Sequence, residues 1–186
     1  MRHAVQKRLA KLNAETEGIL QLLVNLPPET LHWMPSASGW SALQVVNHIY
    51  LSEKLSFDYV SRKIAEGATF PDVKAVSWFR SKGLTFTLAS PLKVKSPKPV
   101  NMRDGQAVLP VQDLRPVWQD LRFKLLDFLE THEADLRRKM PYKHPYVGPL
   151  TLCQMLTFFR DHQRHHRRQI RRILAMASRP GTLAAQ

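Results

Sequence analysis

The chain has 186 residues, 44% of them hydrophobic and 23% charged, and a formal net charge of +13. This is the composition of a globular protein, and the length suits one domain with a real core. It excludes a membrane-spanning helix, because no apolar run approaches the ~20 residues such a helix needs.

The N-terminal stretch lacks the apolar run of a secretory signal and carries Glu15 and Glu17, which argues against a transit peptide. A single cysteine, Cys153, excludes an internal disulfide and suits a reducing compartment. The expected location is the cytoplasm, with no membrane partner. The charge is uneven: from Arg137 onward there are eleven Lys/Arg and one acid. Such a concentration can attract nucleic acid, anionic membrane or acidic metabolites, or simply keep the protein soluble.

Leu9, Leu12, Ile19, Leu20, Leu23 and Leu26 recur at helical spacing and predict an amphipathic helix over about 3–25, stopped by Pro27-Pro28. A loop through Pro35 and Gly39 leads to "SALQ". There Ser41 as N-cap and Gln44 three residues on form a capping-box pattern. The second predicted helix runs from about 42 to 65 and ends near Gly67. Residues 67–112 are rich in proline, and "PLKVKSPKP" cannot be a regular helix. A short helix over about 72–82 is expected inside this long connection, with Trp78 and Phe79 packing inward. Connections this long usually carry function or cover something. Asp113 is the expected cap of the third helix, with Pro116 in its first turn. Leu114, Trp118, Leu121, Leu125 and Phe128 mark its buried stripe, and it ends before Pro141. "TLCQ" repeats the capping pattern at Thr151 and Gln154 and opens a fourth helix to about Met176. The sum is an all-α fold: a four-helix bundle with a long crossover between helices two and three. Residues 1–178 form the predicted domain, and 179–186 a flexible tail.

The fourth helix holds "FFRDHQRHHRRQIRR", residues 158–172, with three histidines among six arginines. At 100° per residue, His162, His166 and Gln169 share a face with Met155, Phe159, Ile170 and Ile173. Arg160, Arg164, Arg167 and Arg171 lie on the far side. His165 sits at the edge of the inner face, and Cys153 points about 180° from His162. Two histidines at i and i+4 can reach one ion, although two hydrogen-bonded core residues would show the same spacing. His48 on the second helix is the best third ligand, since Val45, Leu51 and Leu55 place it inward. Burying three imidazoles costs free energy unless each finds a partner, and one divalent cation would serve all three. His3, His32, His132 and His144 read as structural or surface residues, with His144 in a loop.

These residues resemble the DinB-like (DinB/YfiT) superfamily of four-helix metalloenzymes. The resemblance rests on "GWSALQVVNHIYLSE" at 39–53, "HPYVGPLTLCQMLTFFRDHQRHHRRQI" at 144–170 and the linker "KVKSPKP". Trp40 and Ser41 stand where the family's Trp-Ser pair opens the second helix, with His48 seven residues beyond Ser41. His162, His166, Gln169 and Ile170 match the family's His-x-x-x-His followed by Gln-Ile. The sequence departs from the pattern at His165, where arginine is common. The resemblance implies that His48, His162 and His166 bind zinc or nickel in a cleft. It also implies a homodimer and, in some relatives, thiol S-transfer or isomerisation on a small-molecule substrate.

Three neutral imidazoles leave positions open, as in catalytic sites, so a water or a low-molecular-weight thiol could be activated there. Hydrolase and thiol S-transferase chemistry are both compatible with that. Gln169 and His165 are candidates for the layer behind the ligands. Glu53, at about 140° from His48, and Asp161, pointing sideways, are poor candidates for a general base. The rival readings are a basic helical protein that binds nucleic acid through the arginine stripe, and an inactive bundle. The first lacks any recognised nucleic-acid module and is not favoured.

Overall fold

Four long helices and one shorter one carry this computed structural model, which describes residues 2–90, 97–102 and 106–179. Helix α1 spans Arg2–Leu20, α3 Ala42–Ala65, α5 Val111–Leu136 and α6 Leu152–Ala177. The short α2, Pro28–His32, links α1 to α3, and α4, Ala75–Ala89, lies inside the crossover from α3 to α5. Around the bundle the order is α1, α6, α3, α5, because α1 and α3 each pack on both α5 and α6. The all-α bundle and its long crossover are therefore as expected. The expected tail lies outside the described residues except for Arg179, and so does the first part of "KVKSPKP".

Local chemistry sets the helix ends. Ser41 and Thr151 each close a capping box with Gln44 and Gln154. In both, the hydroxyl accepts from the N3 backbone N–H at 3.2 Å, and the glutamine Oε1 accepts from the cap N–H at 2.9 Å. Helix α3 stops in a Schellman motif: Gly67 adopts φ +68°, Ala68 N–H reaches Lys63 O, and Gly67 N–H reaches Ile64 O. Helix α1 ends five residues before the predicted boundary. Its apolar period continues through Leu23, but the backbone there tightens into i to i−3 bonds ahead of the prolines. Helix α5 starts at Val111 behind Pro110, so Asp113 lies in its first turn rather than capping it, and Pro116 lies inside it. Its predicted stripe, Leu114 to Phe128, is buried as expected.

Two features differ from the sequence reading. Helix α4 extends to Ala89, and Trp78 and Phe79 face outward, 55% and 66% exposed. The inner face is already occupied: Ser77 bonds Gln154, and Leu84 and Leu88 face a pocket. The two rings pack on each other instead, with Lys82 Nζ 5.5 Å from the Trp78 ring centre. The segment before α6 is also a small antiparallel hairpin rather than a loop. Strand β1, Tyr142–His144, pairs with β2, Gly148–Leu150, placing His144 opposite Gly148. Gly148 makes the turn at φ +77°, a value that glycine alone reaches without strain.

A buried polar clamp joins the four long helices. Glu53 of α3 is fully buried and accepts from Trp118 Nε1 and Arg122 Nη2 of α5 and from Gln163 Nε2 of α6. Thr16 of α1 accepts from both Arg122 and Gln163. Glu53 lies five residues after His48, and Gln163 directly follows His162. The clamp therefore fixes α3 and α6 relative to each other just behind the histidine face.

Candidate metal centre

The three histidines named from the sequence come together. His48 of α3 and His162 and His166 of α6 are all buried, and one ring nitrogen from each lies within 4.8 Å of the other two. His162 Nε2 is 3.3 Å from His48 Nε2 and 3.0 Å from His166 Nε2. Two nitrogens bound tetrahedrally at zinc-like lengths would be about 3.3 Å apart, so the spacing matches a shared cation.

Partners on the far side of two rings fix which nitrogen is free. His48 Nδ1 is 2.7 Å from Val100 O, which can only accept, so the proton is on Nδ1 and the Nε2 lone pair faces the cluster. His166 Nδ1 is 2.8 Å from Gln169 Oε1, with the same consequence. Three converging nitrogens can therefore share at most one proton, that of His162. One N–H cannot serve two acceptors well, whereas a cation satisfies all three lone pairs. His162 Nδ1 is buried with no partner among the described residues, and Phe158 stacks on its ring at 5.3 Å. Burial pushes the basicity of all three imidazoles down, and for His162 and His166 well below the usual histidine range. They are neutral at pH 7, the state a metal requires. The donor set fits a borderline divalent ion such as zinc or nickel.

The surroundings of the three histidines were partly legible. Gln169 holds His166, as its position on the helix face suggested. His165 lies beside His166 but turns its Nδ1 to Leu88 O of α4, at 2.9 Å, and does not join the three-nitrogen group. The connection contributes what sequence reading missed. Its 3-10 turn, Lys98–Val100, presents the carbonyl that orients His48. Asn47 anchors the later part of the same connection by pairing with both Leu109 N–H and Leu109 O. Backbone carbonyls leave no mark in a sequence, but an asparagine next to an inward histidine was a usable signal.

The cluster forms one wall of a pocket of about 590 Å³ between α3, α4, α6 and the hairpin. Its sides are mainly apolar, with Leu55, Leu84, Leu88, Val147 and Phe158 among them. Among the described residues no acidic side chain lines it. Glu53 belongs to the clamp, and Asp161 is held by Arg160 and Thr85. His144, expected in a loop as a structural or surface residue, is buried and lines this pocket.

The sequence model of the DinB superfamily matches residues 11–170. The chain belongs to the DinB superfamily. Neither a curated protein nor a solved structure gives a match. The DinB match runs from within α1 to within α6 and includes all three clustered histidines. The arginine stripe of this DinB chain is largely consumed internally. Arg164 and Arg167 both pair with Glu15 of α1 and Arg160 with Asp161, while Arg168, beside the stripe, caps the carbonyl end of α4. Among the described residues no helix is long and apolar enough to cross a membrane.

Proposed function

We propose that this DinB-superfamily protein is a metal-dependent enzyme whose ion is held by His48, His162 and His166. The observation that carries the reading is the convergence of three buried Nε2 atoms, two of them fixed as lone-pair donors by Val100 and Gln169. A divalent cation there would lower the pKa of a thiol or water placed at its open positions. Val100 and Gln169 hold the two rings in register, and Phe158 and the apolar walls line the approach to them. No described acidic side chain lines the pocket, but His165 does, and with its Nδ1–H given to Leu88 O it keeps an Nε2 lone pair that could take a proton from water. The lining is thus compatible with thiol transfer to a small molecule and with hydrolysis. The reading extends to a cytoplasmic homodimer, in keeping with the single cysteine and the family resemblance.

The test is metal analysis of protein purified without an affinity metal column, followed by calorimetric titration with zinc and with nickel. One ion per chain is expected, lost in His162→Ala. Substoichiometric metal in both titrations, or an unchanged His162→Ala, would remove the reading.

A further inference from the structure

His144 has no role in the metal reading, yet the residue is only 5% exposed and lines the same pocket. Its Nδ1 accepts from the backbone N–H groups of Tyr146 and Val147, at 3.2 and 3.4 Å, within the hairpin turn. Two donors on Nδ1 leave the proton of the neutral ring on Nε2. Burial pushes the His144 pKa down to about 4, so the ring is neutral at pH 7. No described residue accepts from Nε2–H. The donor is not sealed off but opens onto the pocket, where a ligand oxygen can accept from it in place of water. Phe158 stands between His144 and the cluster, its ring centre 4.6 Å from that of His144 and 5.3 Å from that of His162. The donor and the three nitrogens thus flank one apolar ring.

The remaining charge is one-signed. Arg80 and Lys143 line the pocket, and no described acid opposes them. A cationic ligand would meet two like charges. An anionic oxygen group would meet two cations and an unused donor, while its apolar part covers Leu55, Leu84, Leu88 and Phe158.

We propose that the pocket binds a mostly apolar molecule bearing a carboxylate or similar anionic oxygen group, recognised by Nε2–H of His144. This deepens, and rests on, the reading of the three-histidine cluster as the reactive centre. His144 is then a specificity-determining residue: it fixes the acid end of the substrate and leaves the opposite end toward the cluster.

Phenylacetate and 2-phenylethylamine probe this, because they share an apolar body and differ in charge. Both are titrated calorimetrically into metal-free and zinc-loaded protein, wild type and His144→Phe. In metal-free wild type, phenylacetate binds at least about tenfold more tightly than the amine, the scale of one hydrogen bond to a charged group. His144→Phe cuts that preference several-fold, leaving what Arg80 and Lys143 supply, and keeps the wild-type zinc stoichiometry. Equal binding of the two probes, or an unchanged preference in His144→Phe, would overturn the proposal. The His144 Nε2–H proton resonance of wild type gives a readout free of any folding defect in the variant: it shifts with phenylacetate and not with the amine. A resonance that ignores phenylacetate counts against the proposal equally. Failure of zinc to bind would strike the metal reading alone, since the metal-free titrations still judge His144.

Discussion

Replacing Arg122 by methionine probes what holds the centre in shape. Glu53 is fully buried and accepts from Arg122, Trp118 and Gln163. The variant leaves the two neutral donors but removes the cation paired with this carboxylate. Breaking a buried pair from one side costs about 3–5 kcal/mol. For a chain this long, each kcal/mol moves Tm by roughly 2–4 °C, so a fall of about 6–20 °C is expected. The double variant Glu53→Gln with Arg122→Met removes the charge from both sides. The amide oxygen introduced in place of the carboxylate can still accept from Gln163 or Trp118, so most of the loss returns, to within ~2 kcal/mol of wild type. Urea unfolding followed by circular dichroism gives the free energies and their coupling. Zinc stoichiometry of the folded fraction stays at the wild-type level in every variant, because no clamp residue touches the ring nitrogens. A cost below ~1 kcal/mol for Arg122→Met, or a double variant as unstable as the single, would refute this account of the clamp.

Gln169→Leu deprives His166 Nδ1 of its acceptor; zinc affinity falls about 10–100-fold by competition with a chromogenic chelator, while the urea midpoint barely moves. Asn47→Ala strands Leu109 N–H and O and costs about 1–3 kcal/mol, seen as a lower urea midpoint and faster proteolysis after Val100. For His144 the folded pKa, about 4, lies below the unfolded value near 6.5, so the unfolded chain binds the extra proton between those limits. Its contribution is complete above pH 6.5 and is lost as pH falls towards 4; in chelator, His144→Phe gives a shallower decline of the urea midpoint across that window. Glu15→Gln frees Arg164 and Arg167, and binding of random duplex at low salt strengthens relative to wild type, with a steep salt dependence.

The bundle was legible because its signals are local. Two capping boxes, an apolar period of 3.6 and proline stops need only near neighbours, and helices α3 and α6 begin where those signals lie. That the three histidines would meet was legible for a related reason: helix angles put His162 and His166 on one face, and His48 was the best-placed inward histidine on another long helix. The failures share a cause as well. Trp78 and Phe79 were judged by hydrophobicity, but which face of α4 turns inward is decided by what α6 offers, namely Gln154 and Asp161 for Ser77 and Thr85. His144 was read as a loop residue because a three-residue strand is too short to show alternation. Glu53 showed only its angle to His48, and an acid off the histidine face looks the same whether it meets water or a buried arginine.

The clamp and the centre explain each other's position. Helix angles separate Glu53 from His48 by about 140° and Gln163 from His162 by about 100°, so α3 and α6 each present one polar residue to the clamp and one to the cluster. The clamp ties those two helices together through Gln163 and Glu53, at 2.7 Å, within two turns of the histidines. Without a cation the cluster resists such an approach, since two lone pairs point at a third nitrogen and one proton cannot relieve both contacts. A register set by hydrophobic packing alone could relax away from that repulsion by a small slide of one helix. A buried bond network spanning all four long helices cannot slide without breaking several of its members. The polar core therefore fixes the spacing of the three imidazoles. The same preorganisation lets the arginines of α6 pair outward with Glu15 and leaves the inner face of that helix to neutral rings.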